Sequence, residues 1–402
     1  MFTNHQNSSV LSSMTQQTLT VVHVVEGCQG GVGSAVRHLI DAQHQDPGIA
    51  DVHLFADPGR MGDMLYGVPA RLHEYKSSRS AFQLLSVCRD LQRRLRAIAP
   101  DVVYLHSTFP GLYGRLWPRS DAAPWATMYC AHGWAFTQQL PLPQKKVYAL
   151  AERALGSRTD AIISISYSEF DAAVKAGISS PLHRVIYHGV PDRKTPAAPP
   201  VQVDPRSLNL AFIGRFDRQK GLDVLLQAFA DPQLSGVNLW LIGGSTLGHE
   251  CSIPQQPNIK LIGWVPNDQM DDYIQCFDAV VVPSRWEGFG LIALEAMRNA
   301  KPVLASRTGG LAELLIDGVN GRLFNPEDVS DLTRVLRALS KPELQRMGKA
   351  ALEIFDTGFQ LGACYLRWRA LTQDALALRG LRHANTEASY LEPATALTAE
   401  ES

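Results

Sequence analysis

An α/β protein of two parallel-sheet domains, facing each other across a cleft, is what this sequence predicts, and three observations carry the expectation. Strand-like apolar runs alternate with helix-length segments along most of the 402 residues, the pattern of parallel sheets covered on both faces. Midway, "VPDRKTPAAPPVQVDPRS" (190–207) holds five prolines and little periodicity, the composition of a linker. A second alternating series follows it, and the chain is too long for one ordinary core.

Each element follows in order. The first 18 residues are rich in Ser, Thr, Asn and Gln, without a basic start or an apolar core, and read as a loose tail and not a secretory signal. The strand "LTVVHVV" (19–25) leads into the glycine-rich "EGCQGGVGS" and a helix from Ala35. "DVHLFA" (51–56), "DVVYLH" (101–106), "WATMYCAH" (125–132) and "AIISIS" (161–166) continue a first domain spanning 19–189. Beyond the linker, "LNLAFIG" (208–214), "VNLWLIG" (237–243), "IKLIGW" (259–264), "AVVVPS" (279–284) and "KPVLAS" (301–306) mark the second domain, 208–360. After about Leu376 the pattern is lost, so 377–402 read as a disordered tail.

Bulk properties narrow the function. A formal net charge of −1 supplies no field to draw the protein to nucleic acid, so none is expected as a partner. No apolar run reaches the roughly 20 residues that span a bilayer. The six cysteines (Cys28, Cys88, Cys130, Cys251, Cys276, Cys364) form no CxxC pair and read as free thiols of a reducing, cytoplasmic compartment.

Ligands of such sheets bind beyond the carboxyl ends of the strands. In "AFIGRFDRQKGLDVLLQAF", Gly214 and Arg215 stand at a strand end, and Lys220 precedes an amphipathic helix whose apolar face is Leu222, Leu225, Leu226 and Phe229. Two fixed cations beside a helix N-terminus suit a phosphate or diphosphate; the alternative is a pair of solvated surface charges. In "VVVPSRWEGFGLIALEAM", Glu287 lies in the loop and Glu295 inside the following helix, with glycines that let the backbone approach a ligand. Were the span helical, the two carboxylates would be roughly 12 Å apart, a reach suited to the two ends of a nucleotide sugar. Carboxylates accept from vicinal hydroxyls, so Glu295 suits a ribose and Glu287 a hexose; the alternative is one capping and one surface glutamate.

These residues resemble a known family. "GRFDRQKG", "LIGWV", "VVPSRWEGFGLIALEAM", "KPVLASRTGG" followed by Glu313, and "DGVNGRLF" (317–324) occur in the order found in retaining GT-B glycosyltransferases of family 4, with their Glu-x7-Glu motif. "GGVGS" (30–34), "LHS" (105–107), "AHG" (131–133) and "VIYHGV" (185–190) match more loosely, and "CYLRWRALTQ" (364–373) looks like the family's final helix crossing back to the first domain. The resemblance implies a GT-B fold of two Rossmann-like domains: an acceptor-binding domain (19–189), a nucleotide-sugar-binding domain (208–360) and a crossover helix (361–376). It implies that Arg215 and Lys220 bind the donor diphosphate, Glu295 the ribose, and Glu287 the transferred sugar. Gly288, Phe289 and Gly290 would add backbone contacts, Gly31 would approach the diphosphate or acceptor, and His132 would sit near the reacting centre.

The implied reaction moves a sugar to an acceptor hydroxyl with retained anomeric configuration, in bacterial polysaccharide, exopolysaccharide or lipopolysaccharide biosynthesis. His188-Gly189-Val190-Pro191 stands where the family often has Asn-Gly-Val-Asp, so this loop is assigned no role. No DxD pair marks a strand end, and Asp271-Asp272 reads as the solvated face of a helix, so neither metal nor cofactor is expected beyond the nucleotide sugar. Residues 76–96 carry six basic residues against one acid; such a helix suits an anionic membrane surface bearing a lipid-linked acceptor, or else packs on the sheet with a solvated basic face. Rival readings are a nucleotide-sugar 2-epimerase of the same fold and a non-catalytic nucleotide-sugar-binding subunit. An NAD-dependent oxidoreductase is weaker still, because "GCQGGVGS" lacks the GxGxxG spacing.

Overall fold

A computed structural model describes residues 18–27, 30–61, 65, 67–116, 123–193, 198–245 and 252–390. The expected tail before Thr18, Cys28, Cys251 and residues 391–402 lie outside the described residues. The first sheet contains β1 (Leu19–Val24), β2 (Ile49–Ala56), β3 (Arg71–Glu74), β4 (Val102–His106), β5 (Ala126–Cys130), β6 (Ala161–Ser164) and β7 (Leu182–Val185). Its helices are α1 (Gly31–His44), α2 (Ala81–Ile98), α3 (Thr108–Leu116), α4 (Leu142–Gly156) and α5 (Tyr167–Lys175). The second sheet contains β8 (Leu208–Ile213), β9 (Val237–Ile242), β10 (Ile259–Gly263), β11 (Ala279–Val282), β12 (Val303–Ser306) and β13 (Gly321–Phe324). With it come α6 (Leu222–Ala228), α7 (Met270–Cys276), α8 (Leu291–Arg298), α9 (Leu311–Leu314), α10 (Val329–Arg337), α11 (Lys341–Gly358) and finally α12 (Leu361–Tyr390).

All pairings within the two sheets are parallel. The strand orders are β3-β2-β1-β4-β5-β6-β7 and β10-β9-β8-β11-β12-β13. Each order reverses direction once, between β1 and β4 and between β8 and β11. Loops leaving the two strands at such a switch point diverge to opposite faces and open a crevice. The central strands are buried on both sides, which is why β11 reads "AVVV" without alternation.

The second crossing of the chain returns α12 to the first domain. Trp368, Leu371 and Ala375 of α12 join Val36, Tyr104 and Met128 in one buried cluster, which continues through Phe289, Leu291 and Leu311 of the second domain. The two crossings lie side by side: Val190 donates its N–H to Phe359 O at 3.1 Å, and Leu361 donates to Val190 O at 2.9 Å.

Three sequence expectations need correction. The first helix begins at Gly31, inside the glycine-rich segment and not at Ala35, because Gly30 takes φ 79° as N-cap. The helix expected to end at residue 376 runs on to Tyr390, so 377–390 are not a disordered tail. Buried Arg379 explains the continuation, since its guanidinium donates to Ala123 O of the first domain. Asp271 of α7 is buried and not solvated, held by Arg298 at 2.5 Å and Asn299 at 2.7 Å.

Candidate active site

The loops after β8 and β11, on either side of the second switch point, interlock. Asp217 organises the first: one oxygen accepts from Arg215 Nε at 2.8 Å and the other from Lys220 N at 3.0 Å. Arg215 also donates to Gln219 Oε1 at 3.0 Å. Gln219 crosses to the second loop, donating from its side chain to Trp286 O at 3.2 Å and accepting from Arg285 N at 2.8 Å. Lys220 Nζ meets Glu287 Oε2 at 2.6 Å, and Ser284 Oγ donates to the same oxygen at 3.2 Å. Both sequence-predicted cations are thus already paired with carboxylates, one within its own loop and one across the switch point.

The Glu287–Gly290 turn is held from behind. At Gly309, with φ 49°, an added Cβ would sit 1.7 Å from Glu287 O, so only glycine lets these loops touch. Gly290, with φ 92°, is the N-cap of α8. Phe289 is buried, stacked on Tyr187 of the first domain with ring centroids 5.3 Å apart. It anchors the turn, so any contact it makes with a ligand comes from its backbone. Glu295, half-buried on α8, is pushed up to about 7 by burial, and Asp271 nearby reinforces this against the opposing Arg298.

The first domain faces this turn. His132 and Gly133 main-chain atoms lie 3.5 Å from where a side chain on Gly288 would project. His132 takes φ 52°, a left-handed conformation that costs a non-glycine residue energy and concentrates at functional sites. Burial lowers its imidazole to about 4, so the ring is neutral. Glu169 supports the turn from below: it accepts from Ile165 N at 3.0 Å and from the Gly133 backbone, and burial raises its carboxyl to about 7. Gly31 opens α1, exposed, with nothing within 4 Å of an added Cβ.

Glu313 of α9 ties the domains together. Its carboxylate accepts from Tyr167 N at 2.9 Å, Ser168 N at 2.7 Å and Tyr187 Oη at 3.0 Å. Tyr167 and Ser168 are the first two residues of α5, whose N–H groups have no intrahelical partner. A carboxylate from the second domain therefore caps a helix of the first, where the helix dipole also favours negative charge.

Comparison with known proteins supplies the family. Residues 29–194 match the model described as Glycosyltransferase Family 4, and residues 207–341 match Glycosyl transferases group 1. A Klebsiella pneumoniae relative, described as an uncharacterized 41.2 kDa protein in a cps region, is 30% identical over 327 residues, which is 79% of this chain and 89% of that one. The chain belongs to the GT-B glycosyltransferases. A D-inositol 3-phosphate glycosyltransferase of Mycobacterium sp. (strain KMS) is 28% identical over 280 residues, 63% of this glycosyltransferase and 62% of its relative. Among solved structures, sucrose-phosphate synthase from Thermosynechococcus elongatus superposes with TM-score 0.77 at 20% identity, over 90% of this chain and 100% of that one. Anabaena HepE, solved with UDP and glucose, gives TM-score 0.72 at 17% identity over 89% and 100%. At these identities the two structures speak for the fold.

Within this glycosyltransferase the structure gathers Arg215, Lys220, Glu287 and the Gly288–Gly290 turn at one switch point and brings His132 against the turn. Glu295 follows on α8, beside Asp271 and Arg298. Sequence reasoning missed His188, which stacks on His132 at 5.2 Å between centroids and meets Phe289 edge-on at 5.8 Å. The only hint was "VIYHGV", set aside because its histidine departs from the family pattern. It also missed His106, present in the quoted "LHS", whose Nδ1 lies 2.9 Å from His132 Nε2. Asp217 was passed over because an acid beside two expected phosphate-binding cations gave no signal in the sequence. Among the described residues no group of three or more His, Cys, Asp or Glu is placed to hold a metal ion.

Proposed function

We propose that this glycosyltransferase moves a sugar from a nucleotide diphosphate sugar to an acceptor hydroxyl with retention of anomeric configuration. One observation carries the reading: two cations, a carboxylate and the N-terminus of α8 converge at the β8/β11 switch point, against a strained, neutral His132. In this reading Arg215, Lys220 and the α8 N-terminus bind the diphosphate, Glu295 the ribose, and Glu287 the transferred sugar. The Gly288–Gly290 backbone closes on the donor, and Gly31 approaches the diphosphate or acceptor. His132 lies by the reacting centre. The cations act most strongly on the charge that grows as the bond from C1 to the diphosphate breaks. The acceptor oxygen bonds to C1 from the same face, and its proton passes to a leaving phosphate oxygen. Beyond the nucleotide sugar and the acceptor this scheme uses no cofactor, and it requires no metal.

The ion pair of Lys220 with Glu287 gives the site an internal stand-in for its ligand. A diphosphate competes with Glu287 for Lys220 and frees that carboxylate to accept from sugar hydroxyls. Calorimetric titration with UDP, GDP, ADP and dTDP tests the donor site. Tight binding of one nucleotide, weakened in Glu295→Ala, is expected; no binding of any by the folded protein would sink the reading. Anomeric proton couplings in the product then distinguish retention from inversion.

The relative in a cps region favours polysaccharide assembly as the setting, with a saccharide or lipid-linked saccharide as acceptor. Work at the inner face of a membrane fits the outer surface of the first domain, and no described helix is long and apolar enough to cross one. Phe82, Leu85, Arg89, Arg93 and Arg96 are exposed at spacings that share one face of α2, with Phe82 97% exposed. Leu142, Lys146, Leu150 and Arg153 repeat the mixture on α4. Arg94 turns inward onto Glu74 O at 2.9 Å. Each basic residue near an anionic bilayer contributes about 1 kcal/mol. Co-sedimentation with phosphatidylglycerol vesicles should therefore drop in a variant lacking the charges of Arg89, Arg93 and Arg96. Equal pelleting of variant and wild type would exclude the membrane role.

A further inference from the structure

Behind His132 lies a line of buried polar groups that the transfer scheme leaves unused. His132 Nε2 is 2.9 Å from His106 Nδ1, His106 Nε2 is 2.9 Å from His23 Nδ1, and His23 Nε2 is 2.7 Å from Gln43 Oε1. His23, His106 and Gln43 are fully buried. Burial lowers His23 and His132 to about 4 and His106 well below its usual value, so all three rings are neutral. A neutral imidazole carries one N–H and one lone pair. Every link must then run in the same direction, and the group at the far end decides which.

That end is anchored on the main chain of α12. Thr372 Oγ1 donates to Trp368 O at 2.8 Å, and a carbonyl can only accept. Tyr104 Oη, 2.7 Å from Thr372 Oγ1, therefore donates to it and offers only lone pairs to the Gln43 amide, the side chain that opposes the burial-driven rise of the Tyr104 hydroxyl. The NH₂ of Gln43 is thereby turned to Tyr104 and its Oε1 to His23. His23 must donate from Nε2 and accept at Nδ1, His106 must donate from Nε2 and accept at Nδ1, and His132 must donate from Nε2.

We propose that Gln43, acting through His23 and His106, fixes His132 as the tautomer with its proton on Nε2 and a lone pair on Nδ1, so that this ring receives the hydrogen bond of a substrate hydroxyl and does not donate one. The inference rests on the reading of His132 as the histidine beside the transferred sugar. Gln43, His23 and His106 are positioning residues: they touch no substrate and act through the ring they orient. Since the last link is Trp368 O, the C-terminal helix takes part in setting the protonation state of a group in the cleft.

The tautomers are read directly from two-bond ¹H–¹⁵N correlations on protein labelled at histidine, without any ligand. In the wild type, His132 should show a protonated Nε2 and an unprotonated Nδ1. Gln43→Leu removes the terminal acceptor and should turn the single tautomer into a mixture, and Thr372→Val, which lets the Gln43 amide reverse, should do the same if Gln43→Leu does not fold. Gln43→Glu, which keeps an acceptor oxygen, should restore the wild-type pattern. A wild-type His132 protonated on Nδ1, or an unchanged tautomer in folded Gln43→Leu or Thr372→Val, would overturn the proposal while leaving the donor site untouched. Failure of every nucleotide to bind would remove the transfer reading and leave the tautomer result standing.

Discussion

Replacing Glu313 by alanine should free two particular amide protons and almost nothing else. Tyr167 N and Ser168 N open α5 and have no main-chain acceptor, so whatever protects them from exchange is the carboxylate that they approach at 2.9 and 2.7 Å. A hydrogen bond to a charged group contributes about 1.5–3 kcal/mol, and interaction with the helix N-terminus adds about 0.3–1 kcal/mol. Partial exposure of this corner places the loss at the lower end, so about 1.5 kcal/mol, or roughly tenfold faster exchange, is expected at each amide. Phe170 N is the internal control, because it bonds to Ser166 O at 3.1 Å within the helix itself. Native-state hydrogen exchange followed by NMR resolves all three. Unchanged rates at Tyr167 and Ser168 would mean that the inter-domain clasp is not populated in solution. Equal acceleration at Phe170 would mean that Glu313 holds the whole helix and not its first turn.

Other expectations follow from the same geometry. Lys220→Met should weaken binding of the preferred nucleoside diphosphate by roughly 30-fold, about 2 kcal/mol for one charge-assisted contact, whereas Glu287→Gln should leave that affinity within a few-fold; calorimetry separates the two. Phe289→Ala empties the inter-domain stack and should cost about 3–5 kcal/mol in urea unfolding; a loss under 1 kcal/mol would show that the turn is supported without it. Stability should also fall on acidification. His23, His38, His132 and His183 are each lowered from 6.5 to about 4 chiefly by burial, so the unfolded chain takes up protons there that the folded chain refuses. Glu169 and Glu295, raised from 4.5 to about 7 by burial, act in the opposite sense over an overlapping range. The histidines outnumber them, so the urea midpoint should drop from about pH 6.5 downward, each unmatched proton contributing about 1.4 kcal/mol per pH unit. A midpoint flat from pH 7 to about pH 5 would contradict the buried, neutral histidines.

What the sequence revealed depended on how much each segment had to bury. The central strands were legible because both of their faces are covered and their residues are accordingly Val, Ile and Leu. β3 ("RLHE"), β7 ("LHRV") and β13 ("GRLF") were not. Each closes an edge of its sheet, where polar residues are tolerated and the apolar alternation that marks a strand is lost. In the site, Arg215, Lys220 and Glu287 could be singled out because they stand beside glycines at strand ends, in the order of the family's motifs. His23 and His106 could not, since each lies in a strand and reads as an ordinary core residue until the register, with His23 opposite Tyr104, brings His106 two residues further on within reach of His23. The C-terminus misled because the apolar period fades after Leu376, so the sequence there looks like a tail although the helix persists to Tyr390.

The return of α12 has a consequence for how the protein is made. Tyr104 and Met128 lie in the first half of the chain, but the residues that cover them, Trp368 and Leu371, are near its end. A ribosome completes both sheets before it releases the segment that seals the first. Until then an apolar face of the first domain stays open to solvent, where nascent chains aggregate or recruit chaperones. A fragment ending in the 190–207 linker should therefore be poorly soluble, and a peptide carrying residues 361–390, supplied separately, should rescue it.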